Sequence, residues 1–125
     1  MGKVVHFEVP FDDAERAVAF YRDVFGWQIT SMPEMQYHLV TTGPAADDGS
    51  PTGPGYIGGG MLARQEPVRT PVITIAVDDI DAALLTVEAN GGSTLEPKQA
   101  VGQMGFAAYF RDSEGNVLGL WQDAG

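Results

Sequence analysis

Two side chains near the start of the chain could do acid–base chemistry. His6 and Glu8 stand two residues apart in the alternating segment Val4 to Val9, so they share one face of a strand. An imidazole could exchange a proton near neutral pH, and a carboxylate desolvated by a cleft could act as a general base. The plainer alternative is a satisfied structural histidine beside a solvated or salt-bridged carboxylate. Thr74, Tyr109 and Trp121 lie on other strand-like segments, where strand parity puts them on the corresponding face. There they would wall a ligand cleft by stacking and hydrogen bonding, or pack at a subunit contact. His38 follows Tyr37 on an alternating segment whose face the sequence does not fix. The chain has no Cys, which excludes a thiol nucleophile, a thiolate metal site, an iron–sulfur cluster and disulfides. It has no nucleophile-elbow or Ser-His-Asp pattern. Gly58-Gly59-Gly60 is followed by neither a helix nor a Lys-Ser or Lys-Thr pair, so it is a poor phosphate loop. Its missing side chains predict a widened cleft, or close approach of a ligand or partner backbone.

These residues are positioned by an internal repeat. An offset of 66 residues carries Asp12-Asp13-Ala14-Glu15-Arg16-Ala17-Val18 onto Asp78-Asp79-Ile80-Asp81-Ala82-Ala83-Leu84. It also maps Ala14, Ala17, Val18 and Tyr21 onto Ile80, Ala83, Leu84 and Val87, one helical face in each half. Asp12 and Asp78 are the expected caps, and Gly26 and Gly91-Gly92 the stops. A β-branched strand precedes each helix, Val4 to Val9 and Val72 to Val77. Strand-like segments follow: Trp27 to Met32, Tyr37 to Thr42 and Tyr56 to Ala63, then Ser93 to Leu95, Phe106 to Arg111 and Val117 to Gln122. The fold class is therefore α+β, a single domain over 1–125 of two tandem βαβββ modules whose mixed sheets form a cleft. Module one spans about 3–64, a Pro-bounded linker about 65–71, and module two about 72–123. Val5, Phe7 and Val9, with Ile73, Ile75 and Val77, are expected to cover the helices. So are Phe106, Phe110, Leu118 and Leu120. Trp27 is expected to plug the base of the core. The segment Gly43 to Gly55 is Gly-, Pro- and Asp-rich, and predicts a lid or a disordered loop.

Seventeen acidic residues against seven basic ones give a net charge of -10, which repels nucleic acid and anionic membrane surfaces. No apolar run reaches the roughly 18 residues of a spanning helix, and no leader is recognisable, so a cytoplasmic location is expected.

The segments His6-Phe7-Glu8-Val9-Pro10, Phe20-Tyr21-Arg22-Asp23-Val24-Phe25-Gly26-Trp27 and Asp112-Ser113-Glu114-Gly115-Asn116-Val117 resemble the vicinal oxygen chelate superfamily. That group includes glyoxalase I, extradiol dioxygenases and bleomycin or fosfomycin resistance proteins. The resemblance covers Val4 to Gln122, and implies that metal-binding members place one ligand on the first and one on the last strand of each module. His6 stands at the first such position. Val72 replaces the equivalent histidine, Gly58-Gly59-Gly60 offers no ligand, and Gly119 stands where the terminal acid would be. No metal and no cofactor are therefore expected. The preferred reading is metal-independent binding of a small organic molecule, neutral or cationic, by His6, Glu8, Thr74, Tyr109 and Trp121. The alternative is a glyoxalase-like lyase, isomerase or dioxygenase using His6 and Glu8 as catalytic groups, with or without a weakly held metal. A third possibility is an interaction protein whose cleft its own side chains close.

Exposed sheet edges and aromatic faces predict a homodimer, as the resemblance also implies. Light scattering at micromolar concentration should give twice the chain mass of 13.3 kDa, and a purely monomeric species would contradict the expectation.

Overall fold

The computed structural model describes residues 2–125. In chain order its elements are β1 (Val4–Phe11), α1 (Ala14–Phe25), β2 (Gln28–Met32), β3 (Tyr37–Thr41), β4 (Gly58–Ala63), β5 (Val72–Ala76), α2 (Ile80–Ala89), β6 (Ser93–Val101), β7 (Gly105–Arg111) and β8 (Val117–Asp123). Both helices start one residue later than the sequence pattern suggested. Asp13 and Asp79 are the caps, their carboxylates accepting from the backbone N–H of Arg16 at 3.0 Å and of Ala82 at 3.1 Å. Asp12 is instead paired with Arg64 at 2.9 Å, which leaves the next aspartate to close the turn. Gly26 ends α1 in the left-handed region (φ 71°), and its N–H satisfies the Arg22 carbonyl.

Two compact units emerge, His6–Pro71 and residues 2–5 with Val72–Gly125. The linker thus joins the first module, and its Val68 is buried. Residues 2–5 join the second, where the Lys3 carbonyl accepts from the Ala76 N–H at 2.8 Å. Within the first unit the strand order is β2-β3-β4-β1, with β1 and β4 parallel and the other pairs antiparallel. The second unit repeats this as β6-β7-β8-β5, with β5 and β8 parallel. The βαβββ repeat therefore holds at the level of topology. β6 runs past its expected end at Leu95 to Val101, with register shifts on either side of Glu96. Those irregularities accommodate Pro97, which has no N–H to give the ladder.

Packing distinguishes the two halves. In the second unit Ile80 and Leu84 of α2 are buried with Ala108, Phe110 and Leu120, and Ile75, Val77, Phe106 and Leu118 pack around them. That is the expected helix-side set, except that Ile73 is exposed. In the first unit no residue of α1 is buried, and Phe20, Val24 and Phe25 are more than half exposed. Val40, Met61 and Val68 are the fully buried side chains there. Trp27 does not plug a core. It is half-buried, stacked on Tyr21 with ring centres 4.7 Å apart and tilted against Phe7 at 5.5 Å. No helix among the described residues is long and apolar enough to cross a membrane.

Leu84→Ala should lower unfolding free energy by about 2–4 kcal/mol, because it opens a cavity in this cluster. Its repeat counterpart Val18→Ala, on a half-buried face, should cost less than about 1 kcal/mol. Denaturant titration of both variants checks the asymmetry.

Candidate functional site

Strand alternation brings His6 and Glu8 to one face of β1, as expected, and parallel pairing sets Gly58 and Gly60 of β4 beside them on that face. Glu8 is not a solvated carboxylate, for it is only 6% exposed. One partner is Tyr37, a residue the sequence did not nominate. The Tyr37 hydroxyl donates to Oε2 of Glu8 at 2.8 Å, and Nε2 of His6 lies 2.7 Å from the same hydroxyl oxygen. The His6 and Tyr37 rings are stacked, 16° apart. Burial holds the imidazole below its usual pKa, opposed by the negative charge of Glu8.

Local backbone explains how Tyr37 reaches this place. A single 3-10 turn at Pro33–Met35 ends at Gln36, a non-glycine residue in the left-handed region (φ 52°), immediately before β3. The phenol then lies across β4 where Gly60 has no side chain, for a Cβ built on Gly60 would overlap the Tyr37 hydroxyl. The glycine run is thus not an open widening. Tyr37 fills the space over Gly60, and a Cβ on Gly59 would meet the Phe7 ring at 2.6 Å. Gly58 does admit a close backbone, the chain's own: its Cβ would stand 3.1 Å from the Val40 carbonyl and 3.4 Å from that of Gly49.

That Gly49 carbonyl belongs to the Gly43–Gly55 segment, which is folded. Ala45 and Pro51 form a β-bridge, Thr52 and Tyr56 both bond the Pro44 carbonyl, and Gly49 backs onto Leu39. Leu39 is paired with Gly60, so the segment lies on the His6–Glu8 face. His38 points the other way, with its ring edge-on to Phe11 at 5.5 Å.

The other nominated residues sit in the second unit. Thr74 is buried, and its hydroxyl lies where a Cβ on Gly119 would be 2.8 Å away. Tyr109 is half-buried and paired with Gly119 on β8 and Glu96 on β6. Trp121 lies over Gly105 and donates its indole N–H to Asp123 at 2.8 Å. It borders a shallow recess of about 200 Å³ with Gly2, Lys3, Ala76, Val77, Asp78 and Asp123. Thr74 and Tyr109 do not line that recess.

Comparison with known proteins agrees with this architecture. Residues 3–43 match the family described as bleomycin resistance protein-like N-terminal. A glyoxylase-like domain-containing protein of Didymella fabae is 33% identical over 121 residues, covering 93% of this chain and 90% of the relative. A longer Mycobacterium tuberculosis protein, CFP32, is 31% identical over 115 residues, and the chain spans 41% of its length. Among solved structures, a Streptomyces coelicolor methylmalonyl-CoA epimerase in complex with 2-nitronate-propionyl-CoA superposes with a TM-score of 0.65 at 18% identity, covering 100% of this chain and 99% of that one. A glyoxalase/bleomycin resistance protein/dioxygenase superfamily member from Vibrio splendidus gives 0.62, also at 18%, over 98% and 99% of the two chains. Fold and sequence together define a glyoxalase-like domain. The chain belongs to the vicinal oxygen chelate superfamily.

Two measurements probe the site. The depressed His6 pKa means the unfolded chain binds a proton that the native site resists. Stability should thus be full above about pH 6.5 and fall as pH drops below it, and His6→Gln should flatten that fall in a melting series. Gly60→Ala should displace Tyr37 and destabilise the fold by about 1–3 kcal/mol, measured by denaturant titration.

Proposed function

We propose that this domain binds a small organic molecule, neutral or cationic, without a divalent metal. The observation that carries the reading is the Tyr37 hydroxyl joining His6 to Glu8, the place where a metal would need the imidazole nitrogen to itself. The superfamily's metal does not fit the residues present. Among the described residues no three His, Cys, Asp or Glu side chains gather closely enough to hold an ion. Gly119, at one transferred ligand position, lies too near the Thr74 hydroxyl for an added carboxylate without rearrangement. Such ions want four to six donors, and His6 with a carboxylate already bonded to a phenol falls short of that.

The remaining surroundings suit an organic ligand. Tyr37 and His6 present stacked rings with a donor and acceptors between them, and the Gly43–Gly55 turn lies on the same face. In the second unit Trp121 supplies an aromatic wall near the carboxylates of Asp78 and Asp123, which favours a planar or cationic group. The net charge of -10 works in the same direction. The epimerase structure named above holds a CoA-derived ligand, so the fold accommodates organic molecules in that relative.

Thermal shift and tryptophan fluorescence with planar aromatic amines and quaternary ammonium compounds test the reading. A bound compound at 100 times its Kd should add about 2.7 kcal/mol of stability. His6→Gln or Trp121→Ala should reduce that gain by about 1 kcal/mol or more. Zinc, nickel, manganese or iron should scarcely move the melting temperature. No shift with any compound, or about one metal per chain by elemental analysis, would overturn the proposal.

A further inference from the structure

α1 carries an apolar stripe that its own fold does not use. Ala14, Ala17, Val18 and Tyr21 are half-buried, and the 66-residue offset gives each an apolar counterpart in α2: Ile80, Ala83, Leu84 and Val87. Outside that face the two helices part. Phe20 and Val24, 54% and 55% exposed, correspond to Thr86 and Asn90, and Arg16 and Asp23 correspond to Ala82 and Ala89. A helix in this place therefore folds without either the apolar pair or the charges, as α2 does. Ala17, Phe20 and Val24 step by three and then four residues, so they line up along one side of α1. Arg16 and Asp23 are seven residues apart and each precedes a stripe residue by one, which puts both on the solvent border of the stripe. Neither is in an ion pair among the described residues. The other flank is polar, with Glu15 and with Arg22, whose guanidinium donates to the Ile29 carbonyl at 3.4 Å. The four charges of α1 sum to zero in a chain of net charge -10, so two copies that repel elsewhere can approach here.

We propose that the stripe of Ala17, Phe20 and Val24 is the seam of a homodimer, covered by α1 of a second copy running antiparallel. A two-fold axis makes each contact occur twice. With Phe20 meeting its symmetry mate at the axis, Ala17 lies against Val24 of the second copy and Arg16 against Asp23 of the second copy. Apolar residues then meet apolar ones, and each bordering charge meets its opposite. Parallel helices would set like charges side by side at both positions, which is destabilising. The seam thus assigns the expected dimer contact to a helix, while Pro97 and Lys98 make the edge strand β6 a poor template for pairing. Phe7, which touches Trp27 below α1, lies on the opposite face of β1 from His6 and Glu8. The seam leaves that face open, and it does not rest on the binding reading.

Sedimentation velocity of the full chain from about 1 to 100 μM should show a monomer–dimer equilibrium. Phe20→Glu should raise the dimer Kd at least about tenfold. Its circular dichroism should stay that of wild type, because the side chain is more than half exposed. Asp23→Arg and Arg16→Asp each set like charges across the seam, and each alone should raise Kd at least about fivefold at low salt. Mixed in equal amounts, these two variants should form a heterodimer, since one seam then carries two cations and the other two anions. The double variant Arg16→Asp with Asp23→Arg should recover the wild-type Kd. A wild type that stays monomeric throughout, a Phe20→Glu dimer as tight as wild type, or a mixture no tighter than either charge reversal alone would overturn the seam.

Discussion

A single phenolic hydroxyl holds the first unit's polar face together. Glu8 is buried, and a buried carboxylate without a partner costs several kcal/mol, a cost that the Tyr37 hydroxyl helps to offset. Several features of the chain serve that contact. Gly60 leaves the space the phenol occupies, Gln36 takes a left-handed turn just before β3, and β1 carries His6 two residues before Glu8 so that the same oxygen meets both. Substitution at any of these positions acts on all three polar groups. The small glycine run is thus explained by what it lets its own chain do.

The two halves share a topology and divide its physical burdens differently. α2 buries Ile80 and Leu84 in an aliphatic and aromatic cluster, whereas α1 buries nothing and gathers Phe20, Tyr21, Phe25 and Trp27 into a chain of ring contacts. Apolar burial in the first unit instead lies in its strands and linker, at Val40, Met61 and Val68. Repetition of a fold therefore does not repeat its energetics: the half with the helix-centred core lacks an equivalent of the imidazole–phenol–carboxylate chain, since Val72 stands where the repeat would place a histidine. That division leaves one unit free to carry polar groups in its sheet.

What could be read from sequence follows from the range of each interaction. The 66-residue repeat, strand alternation and turn glycines are local patterns, and they foretold both βαβββ modules and the shared face of His6 and Glu8. The first cap slipped by one, where Asp12 is paired with Arg64, 52 residues away; the same slip from Asp78 to Asp79 has no such partner in the structure. Tyr37 was missed because His6 and Glu8 lie 31 and 29 residues earlier, and only the absent side chain at Gly60 hinted that a ring would cross there. Trp27 was assigned to a core on its burial habit, but no buried residue of α1 exists to enclose it. The Gly43–Gly55 composition signalled an irregular segment without showing that Gly49 would fit against Leu39.

In the proposed function the Tyr37 hydroxyl, not a metal ion, stands beside Nε2 of His6. A crystal structure grown with excess manganese, with anomalous data collected, addresses it most directly. The account predicts the Tyr37 oxygen within hydrogen-bond distance of both His6 Nε2 and Glu8, and no anomalous peak beside either. A manganese ion on His6 Nε2 with Tyr37 swung away from Gly60 would contradict it.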